Sequence, residues 1–484
     1  MQFRRVAFLF ALVVSVAQLA LAQTASERLE AVRKDPLRLR QFLEAMPKGG
    51  DLHNHLSGDI YAESFMQWAA NDGFCIDDDK LTIVAKCEGT LVPASTSLTS
   101  PLYQQMLDAL SMRQFKGTLE SGHDHFFATF SKFGAVSKPH AADMMVEAVQ
   151  RFGSENVDYL ETIYAPDRGG AARLGFDLTK GADFKSMRDQ LLAGTSMKAV
   201  IADARKTLDD AEAAVKTQLK CGTPEAMAGC RVDVRIIDEV HRGIPREALF
   251  AELVVGFELA SIDSRVVGIN PVMPEDGYVS MTTFNELMQM FAYLRPLYPN
   301  VRISTHAGEL APGLVPPEGL RFHIRDSVMI AKAERIGHGV DIARETNSAE
   351  LLRTMAKRGV AVEVCLTSND VILGIRGKDH PLPMYLRNHV PVALASDDPG
   401  VSRIDLTNEF QRAVEEFGLT YAELKKLVRN SIEYSFIEGD SLFVNHDYAR
   451  RACATSCDAF VAKSAKARVQ LKLEKRLADF EKQP

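Results

Sequence analysis

The sequence lacks several features that mark membrane-spanning or nucleic-acid-binding proteins. After an apolar N-terminal segment, no stretch is long and apolar enough to cross a bilayer. Basic residues are not in excess either, since 57 Lys and Arg face 64 Asp and Glu, for a formal net charge of −7. This balance argues against nucleic acid or an anionic membrane surface as a partner. No internal repeat is present, and the charged tail after Lys463 is predicted to be a solvated amphipathic helix.

The first 22 residues are typical of a signal peptide. Arg4 and Arg5 form a short basic start, residues 7–21 are almost wholly apolar, and Ala20 and Ala22 suit a signal peptidase. We predict cleavage after Ala22 and export to the periplasm or the exterior of the cell. A membrane anchor is the alternative, but the apolar run is short for a spanning helix and charged sequence follows at once.

The cysteines lack the two-residue spacing that structural zinc sites usually show. Six of the seven instead fall into close pairs, and each pair could close a small loop through a disulfide in an oxidising compartment. Cys365 is left over in the apolar run 360–366, where we predict a buried, inert thiol. The three pairs are Cys75 with Cys87, Cys221 with Cys230, and Cys453 with Cys457.

Eight short runs rich in β-branched and apolar residues recur along the chain, with helical patterns between them, as at 196–220 and 421–435. Strands that alternate with helices form parallel βαβ units, and eight such units close a barrel. We therefore predict an α/β fold, a (β/α)8 TIM barrel; a doubly wound open sheet is the alternative. The predicted strands are 50–53, 157–162, 232–237, 266–269, 301–305, 335–337, 360–365 and 392–395.

Residues 23–484 are predicted to form one domain, because barrels with insertions reach this length as a single unit. A loop insertion of about 74–122 follows strand one, and a second insertion, about 167–230, follows strand two. Insertions of this length usually shape the mouth of a barrel or an oligomer contact, and the sequence leaves a homodimer open. A helical extension is predicted from about residue 437.

Four residues with metal-binding side chains lie where predicted strands end, at the face of a barrel that carries active sites. His53 and His55 alternate along strand one and so point the same way, which lets two imidazoles reach one ion. His306 ends strand five and Asp397 ends strand eight. Three imidazoles and one carboxylate suit zinc better than iron or manganese. We predict one Zn²⁺ per chain, with a coordination position left for an activated water.

Each of these features has an ordinary structural interpretation as well. A His-x-His pair is more often a surface or hydrogen-bonded core feature, and the sequence 397–400 alone would make a good turn. Two further residues could do acid–base work beside the metal: Glu309, three residues after His306, and His338, which ends strand six between two glycines. Those glycines permit close approach of a substrate, or they mark a tight connection.

Five stretches stand in a fixed order along the chain: 46–56 (MPKGGDLHNHL), 304–309 (STHAGE), 334–339 (ERIGHG), 363–369 (EVCLTSN) and 396–400 (SDDPG). With them the chain resembles the adenosine deaminase family, and more closely its secreted, growth-factor-like branch. The resemblance runs from Met46 to about Phe436. That branch is also expected to show a signal peptide and a cysteine-containing insertion after strand one.

The resemblance implies a role for each site residue. His53, His55, His306 and Asp397 would bind zinc, Glu309 would protonate N1 of the purine, and His338 would orient or deprotonate the attacking water. Asp398 would hydrogen-bond the purine at N7, and His55 and Ser57 would contribute to substrate binding. The implied reaction is hydrolytic removal of the 6-amino group of adenosine, and of 2′-deoxyadenosine, which gives inosine and ammonia.

Two positions depart from the family pattern. Ser57 stands where the family usually has an aspartate that contacts the ribose 5′-hydroxyl, and by counting Met273 stands where it has a glycine whose N–H meets the purine. The substrate could therefore differ: the alternatives are a related amidohydrolase acting on adenine, a nucleotide or another amine, and a secreted binding or signalling protein without turnover.

Overall fold

The structure, a computed structural model, describes residues 23–117, 120–453 and 457–483. The predicted signal peptide, residues 1–22, lies outside this range, so its cleavage and export remain predictions. Among the described residues, no helix combines the length and the apolar character that crossing a membrane requires.

The centre of the molecule is a parallel sheet of eight strands arranged in sequence order. Each strand pairs with the next one along the chain, and a parallel bridge between Asn54 and Asp397 joins the first strand to the end of the last. The predicted (β/α)8 barrel is therefore confirmed. Its strands are β1 Gly49–His55, β2 Val157–Tyr164, β3 Asp233–His241, β4 Val266–Val272, β5 Arg302–Ala307, β6 Arg335–His338, β7 Ala361–Val364 and β8 Val392–Leu394.

Helices surround this sheet and bury their apolar faces against it. The predicted helices at 196–220 and 421–435 are confirmed as Ser196–Gln218 and Tyr421–Glu433, and the second begins at a capping box formed by Thr420 and Glu423. The other helices that follow strands are Ala141–Ser154 before β2, then Arg246–Ile262, Tyr278–Leu294, Ser348–Arg358, Leu366–Leu373, Leu382–Arg387 and Leu406–Phe417.

Both predicted insertions have secondary structure of their own. The first contains a small antiparallel sheet and short helices, and the helix that follows it, Gly122–Ser137, covers the mouth of the barrel. The second holds two short helices, Gly170–Gly175 and Phe184–Ala193, before the long helix Ser196–Gln218. The elements of the first insertion, with the preceding helix, are Ala62–Asn71, Cys75–Asp77, Thr82–Val84, Val92–Pro93, Ala94–Ser97 and Pro101–Ala109.

The C-terminal extension differs from the prediction in two respects. It opens with a β-hairpin, Phe443–Val444 with Asp447–Arg451, before the helices Asp458–Val461 and Ala465–Glu481. The last helix is amphipathic as predicted, but it is not merely solvated, because Leu473, Leu477 and Phe480 are buried against the barrel. Charged residues on the polar face of a helix do not reveal that its apolar face has a partner elsewhere in the chain.

The three predicted cysteine pairs are disulfide-bonded, and Cys365 is a buried free thiol. Cys75 lies in the small sheet of the first insertion, so its bond to Cys87 holds that insertion together. Such covalent closure of short loops is typical of proteins that fold in oxidising compartments.

Candidate active site

Closure of the barrel itself brings the predicted metal ligands together. The backbone N–H of His55 donates to the carbonyl of Asp397 at 3.0 Å, and the N–H of Asp397 donates to the carbonyl of His53 at 2.9 Å. Asp397 and His338 both adopt left-handed backbone conformations, with φ of +61° and +66°. Residues other than glycine rarely adopt this conformation, and such strain is concentrated at functional sites.

The four predicted ligands form one cluster of facing nitrogen and oxygen atoms. His306 Nε2 lies 3.0 Å from His53 Nε2 and 3.2 Å from His55 Nε2. Asp397 Oδ1 lies 3.4 Å from the Nε2 atoms of both His53 and His55. Tetrahedral ligands bound to zinc at about 2.0–2.1 Å lie about 3.3 Å apart, so the spacing fits the ion.

The hydrogen bonds behind the imidazoles support the same interpretation. His53 Nδ1 bonds Glu363 Oε2 at 2.7 Å, and His306 Nδ1 bonds Asn270 Oδ1 at 2.6 Å. Both partners accept, so each neutral ring carries its proton on Nδ1 and presents a bare lone pair at Nε2. Two lone pairs that face each other at 3.0 Å repel unless a metal ion or a shared proton lies between them. The arrangement therefore fits a divalent metal.

A row of buried charged side chains holds His53 on the Nδ1 side of its ring. Glu363 also accepts from Ser304 Oγ at 3.1 Å and pairs with Arg335, which in turn pairs with Glu161. All of these side chains are almost fully buried. Glu363 was not among the residues predicted for the site, although a single carboxylate inside an otherwise apolar strand is a signal for such a role. Groups that orient a metal-bound histidine in this way raise its basicity and hold its tautomer.

Glu309 and His338 lie beside the cluster, as predicted. Glu309 Oε1 is 3.7 Å from His338 Nε2, and both residues are buried. Burial, reinforced by the negative charges of Asp397 and Glu275, raises the pKa of Glu309 well above its usual range. Burial also lowers the pKa of His338 to about 3. Burial thus favours the protonated acid of Glu309 and the uncharged imidazole of His338.

Asp398 completes the polar end of the site. Its pKa is raised by burial and by the neighbouring charges of Asp397 and Asp59, which favours the protonated carboxyl group. Asp398 Oδ1 has no hydrogen-bond partner among the described residues. A buried acid of this kind can donate its O–H to a ligand nitrogen.

These residues line one cavity of about 430 Å³ at the C-terminal end of the barrel. His55, His306, Glu309, His338, Asp397 and Asp398 all face it, whereas Ser57 is half-buried and does not line it. Apart from Met273, the rest of the wall was not predicted from the sequence; it includes an aromatic face of the helix Gly122–Ser137 and the end of β3. Those lining residues are Phe126, Phe127, Phe130, Ser131, Glu239, His241, Val272, Met273 and Pro274.

Met273 directly follows the last residue of β4, Val272. It lines the cavity and has φ of +83°, a conformation in which glycine is normally found. Its carbonyl accepts two hydrogen bonds from Arg242, at 2.9 Å and 2.8 Å, which hold the backbone in place. The chain therefore keeps the backbone shape of a glycine turn while carrying a side chain there.

A sequence model described as adenosine deaminase matches residues 47–442 of the chain. The chain belongs to the adenosine deaminase family. This family lies within the metal-dependent hydrolases, and the five motifs quoted above fall within or at the edge of the matched region.

Individual relatives align over only part of their length. An adenosine deaminase from Clostridium perfringens is 34% identical over 136 residues, which cover 28% of this chain and 38% of the relative. One from Yersinia pseudotuberculosis is 30% identical over 214 residues, which cover 43% of this chain and 58% of the relative. An aminodeoxyfutalosine deaminase from Streptomyces coelicolor is 38% identical over 114 residues, which cover 23% of this chain and 29% of the relative. The aligned region thus spans less than two thirds of these relatives.

Solved structures share the fold at low sequence identity. An adenine deaminase from Arthrobacter aurescens superposes with a TM-score of 0.53 at 17% identity, covering 89% of this chain and 99% of the other. The N6-methyl-AMP deaminase of Arabidopsis thaliana superposes with a TM-score of 0.55 at 19% identity, covering 91% of this chain and 99% of the other. A zinc-bound amidohydrolase from Burkholderia ambifaria superposes with a TM-score of 0.55 at 18% identity, covering 91% of this chain and 95% of the other.

Proposed function

We propose that the protein is an exported, zinc-dependent aminohydrolase that converts adenosine, and 2′-deoxyadenosine, to inosine and ammonia. The observation that carries this proposal is the convergence of a three-histidine, one-aspartate cluster with Glu309 and His338 in one cavity. Three disulfides among the described residues support export, because such bonds persist in oxidising compartments.

Each polar residue has a task in this reaction. A zinc ion bound by the cluster supplies Lewis-acid activation of the attacking water. Glu309, protonated in its buried setting, donates its proton to purine N1, which makes C6 electrophilic. Asp398 donates its O–H to N7 and fixes the orientation of the base. His338 orients the attacking oxygen, and the aromatic residues Phe126 and Phe130 exclude bulk water from the cavity.

The charge of the cavity favours a nucleoside over a nucleotide. No lysine or arginine is among the residues that line it, whereas Glu239 adds a carboxylate. Arg242 lies close by, but it is buried and donates its hydrogen bonds to the carbonyls of Met273 and His306. His241 lies between the carboxylates of Glu239 and Glu252, which offset its positive charge. A phosphate group would meet repulsion without a compensating cation.

A substrate panel tests the proposal. Purified mature protein is incubated with adenosine, 2′-deoxyadenosine, adenine and AMP, while ammonia release and the change in purine absorbance are followed. We expect turnover of both nucleosides, at least about 100-fold less activity on AMP, and about one zinc per chain by elemental analysis. Activity on adenine alone, or faster turnover of AMP, would contradict the proposed substrate.

A further inference from the structure

His338 is the end of a chain of buried polar groups that runs away from the cavity. Its Nδ1 lies 3.0 Å from Asn369 Nδ2, and Asn369 Oδ1 lies 3.0 Å from His380 Nε2. The backbone N–H of Leu382 donates to His380 Nδ1 at 3.1 Å. The three side chains are at most 3% exposed, so water does not compete for these bonds.

The direction of every hydrogen bond in this chain follows from its last member. A backbone N–H can only donate, so His380 Nδ1 must accept, and the neutral ring then carries its proton on Nε2. His380 Nε2–H therefore donates to the amide oxygen of Asn369. The opposite end of that amide is an NH₂ group, which donates to His338 Nδ1. An accepting Nδ1 leaves the proton of neutral His338 on Nε2.

His338 Nε2 is the atom that faces the cavity. It lies 3.7 Å from Glu309 Oε1 and has no hydrogen-bond partner among the described residues. His338 lines the same cavity as Asp397. A buried N–H without a partner destabilises a folded protein, which is a reason to expect that a ligand or water satisfies it.

We propose that Asn369 and His380 are positioning residues that hold His338 as an Nε2–H donor, so that it hydrogen-bonds the attacking oxygen rather than removing its proton. This inference rests on the proposed function for its catalytic meaning, but the tautomer follows from the geometry alone. It also decides between the two roles, orienting or deprotonating the water, that the family resemblance leaves open for His338.

Histidine NMR on the zinc-loaded protein tests the tautomer directly. With ¹⁵N-labelled histidine, two-bond couplings show which ring nitrogen carries the proton; His338→Gln assigns its signals. We expect protonated Nε2 and bare Nδ1 in the native protein. In Asn369→Asp an ionised carboxylate can only accept, so we expect Nδ1 to become protonated. Native protein with a protonated Nδ1 and a bare Nε2 would overturn the proposal, whether or not adenosine is the substrate.

Kinetics give the second measurement. We expect Asn369→Asp to lower kcat by about 100-fold or more with KM changed by less than about threefold, because the wrong tautomer faces the reacting atoms. His380→Gln keeps an N–H donor toward Asn369 and should retain more activity than His380→Leu. If His380→Gln and His380→Leu lose activity equally while both stay folded, the positioning role assigned to His380 is wrong.

Asn430→Asp is the matched control. Asn430 is also buried and also hydrogen-bonded on both sides, donating to the carbonyl of Val392 at 2.7 Å and accepting from Tyr448 at 2.7 Å, but it lies outside the cavity. We expect a comparable loss of thermal stability with kcat within about twofold of the native value. An equal fall of kcat in both variants would show that the effect of Asn369→Asp is only structural.

Discussion

Replacing Glu363 with glutamine should weaken zinc binding without removing any residue of the cluster. Glu363 Oε2 accepts a hydrogen bond from the Nδ1–H of His53 at 2.7 Å, a charge-assisted bond between two buried groups. The amide is nearly isosteric, but it replaces this bond with a neutral one. Charge-assisted bonds contribute about 1.5–3 kcal/mol and neutral ones about 0.5–1.5, so the loss is about 1–2 kcal/mol. Zinc affinity should therefore fall about 5- to 30-fold.

Glu161→Gln is the control for this experiment, because Glu161 and Glu363 pair with the same arginine, Arg335. Both variants leave Arg335 with one carboxylate instead of two, and both should lower the melting temperature of the apo-protein. Only Glu363 contacts His53, so only Glu363→Gln should lower zinc affinity strongly. The measurement is competition with a chelating dye on the apo-protein, together with melting curves at several zinc concentrations. Equal zinc affinities in the two variants would refute the reasoning.

Three further predictions follow from the site. Glu309→Gln should retain zinc but lower kcat by about 100-fold or more, since it removes the acid and spares the ligands; near-native activity would contradict the mechanism. Glu275 accepts hydrogen bonds from the backbone N–H groups of Gly308 and Glu309 at 2.9 Å and 2.8 Å, and so holds the backbone that positions Glu309. Glu275→Gln should therefore lower kcat about 10-fold, with zinc content measured as the control. His123 bonds Asp276 at 3.0 Å, and this bond raises the pKa of His123 to about 9. Because the folded pKa exceeds the unfolded value near 6.5, the protonated pair stabilises the fold below pH 6.5, and this stabilisation is lost toward pH 9. For a partly exposed pair it amounts to about 1 kcal/mol. Melting curves of His123→Gln against native protein should converge at pH 9.

Much of the fold could be predicted because the strands of a parallel barrel are buried on both faces. Their β-branched and apolar runs stand out from the helical patterns between them, so all eight strands and two of the helices were found. Boundaries were less certain: β3 extends to His241, four residues beyond its predicted end, because polar residues continue the strand into the cavity wall.

The predicted site residues could be found because polar residues at the ends of buried strands are unusual. His306 and Asp397 lie at the ends of predicted strands, His53 alternates with His55 along β1, and the barrel brings them to one point. By contrast, Phe126, Phe127 and Phe130 lie on the helix Gly122–Ser137, where an aromatic face has the same sequence pattern as an ordinary core face. Nothing local shows that this face lines a cavity.

The sequence by itself determined the barrel and the cysteine pairs, because the strands and helices follow from periodicity and the pairs from their close spacing. It also predicted which residues at strand ends could bind a metal. Only the tertiary structure decided which partners lie behind those residues. Glu363 orients His53, Glu275 holds the backbone of Glu309, and Asn369 links His338 to His380. These contacts join residues from different βα units, so their distances and hydrogen-bond directions exist only once the barrel has closed.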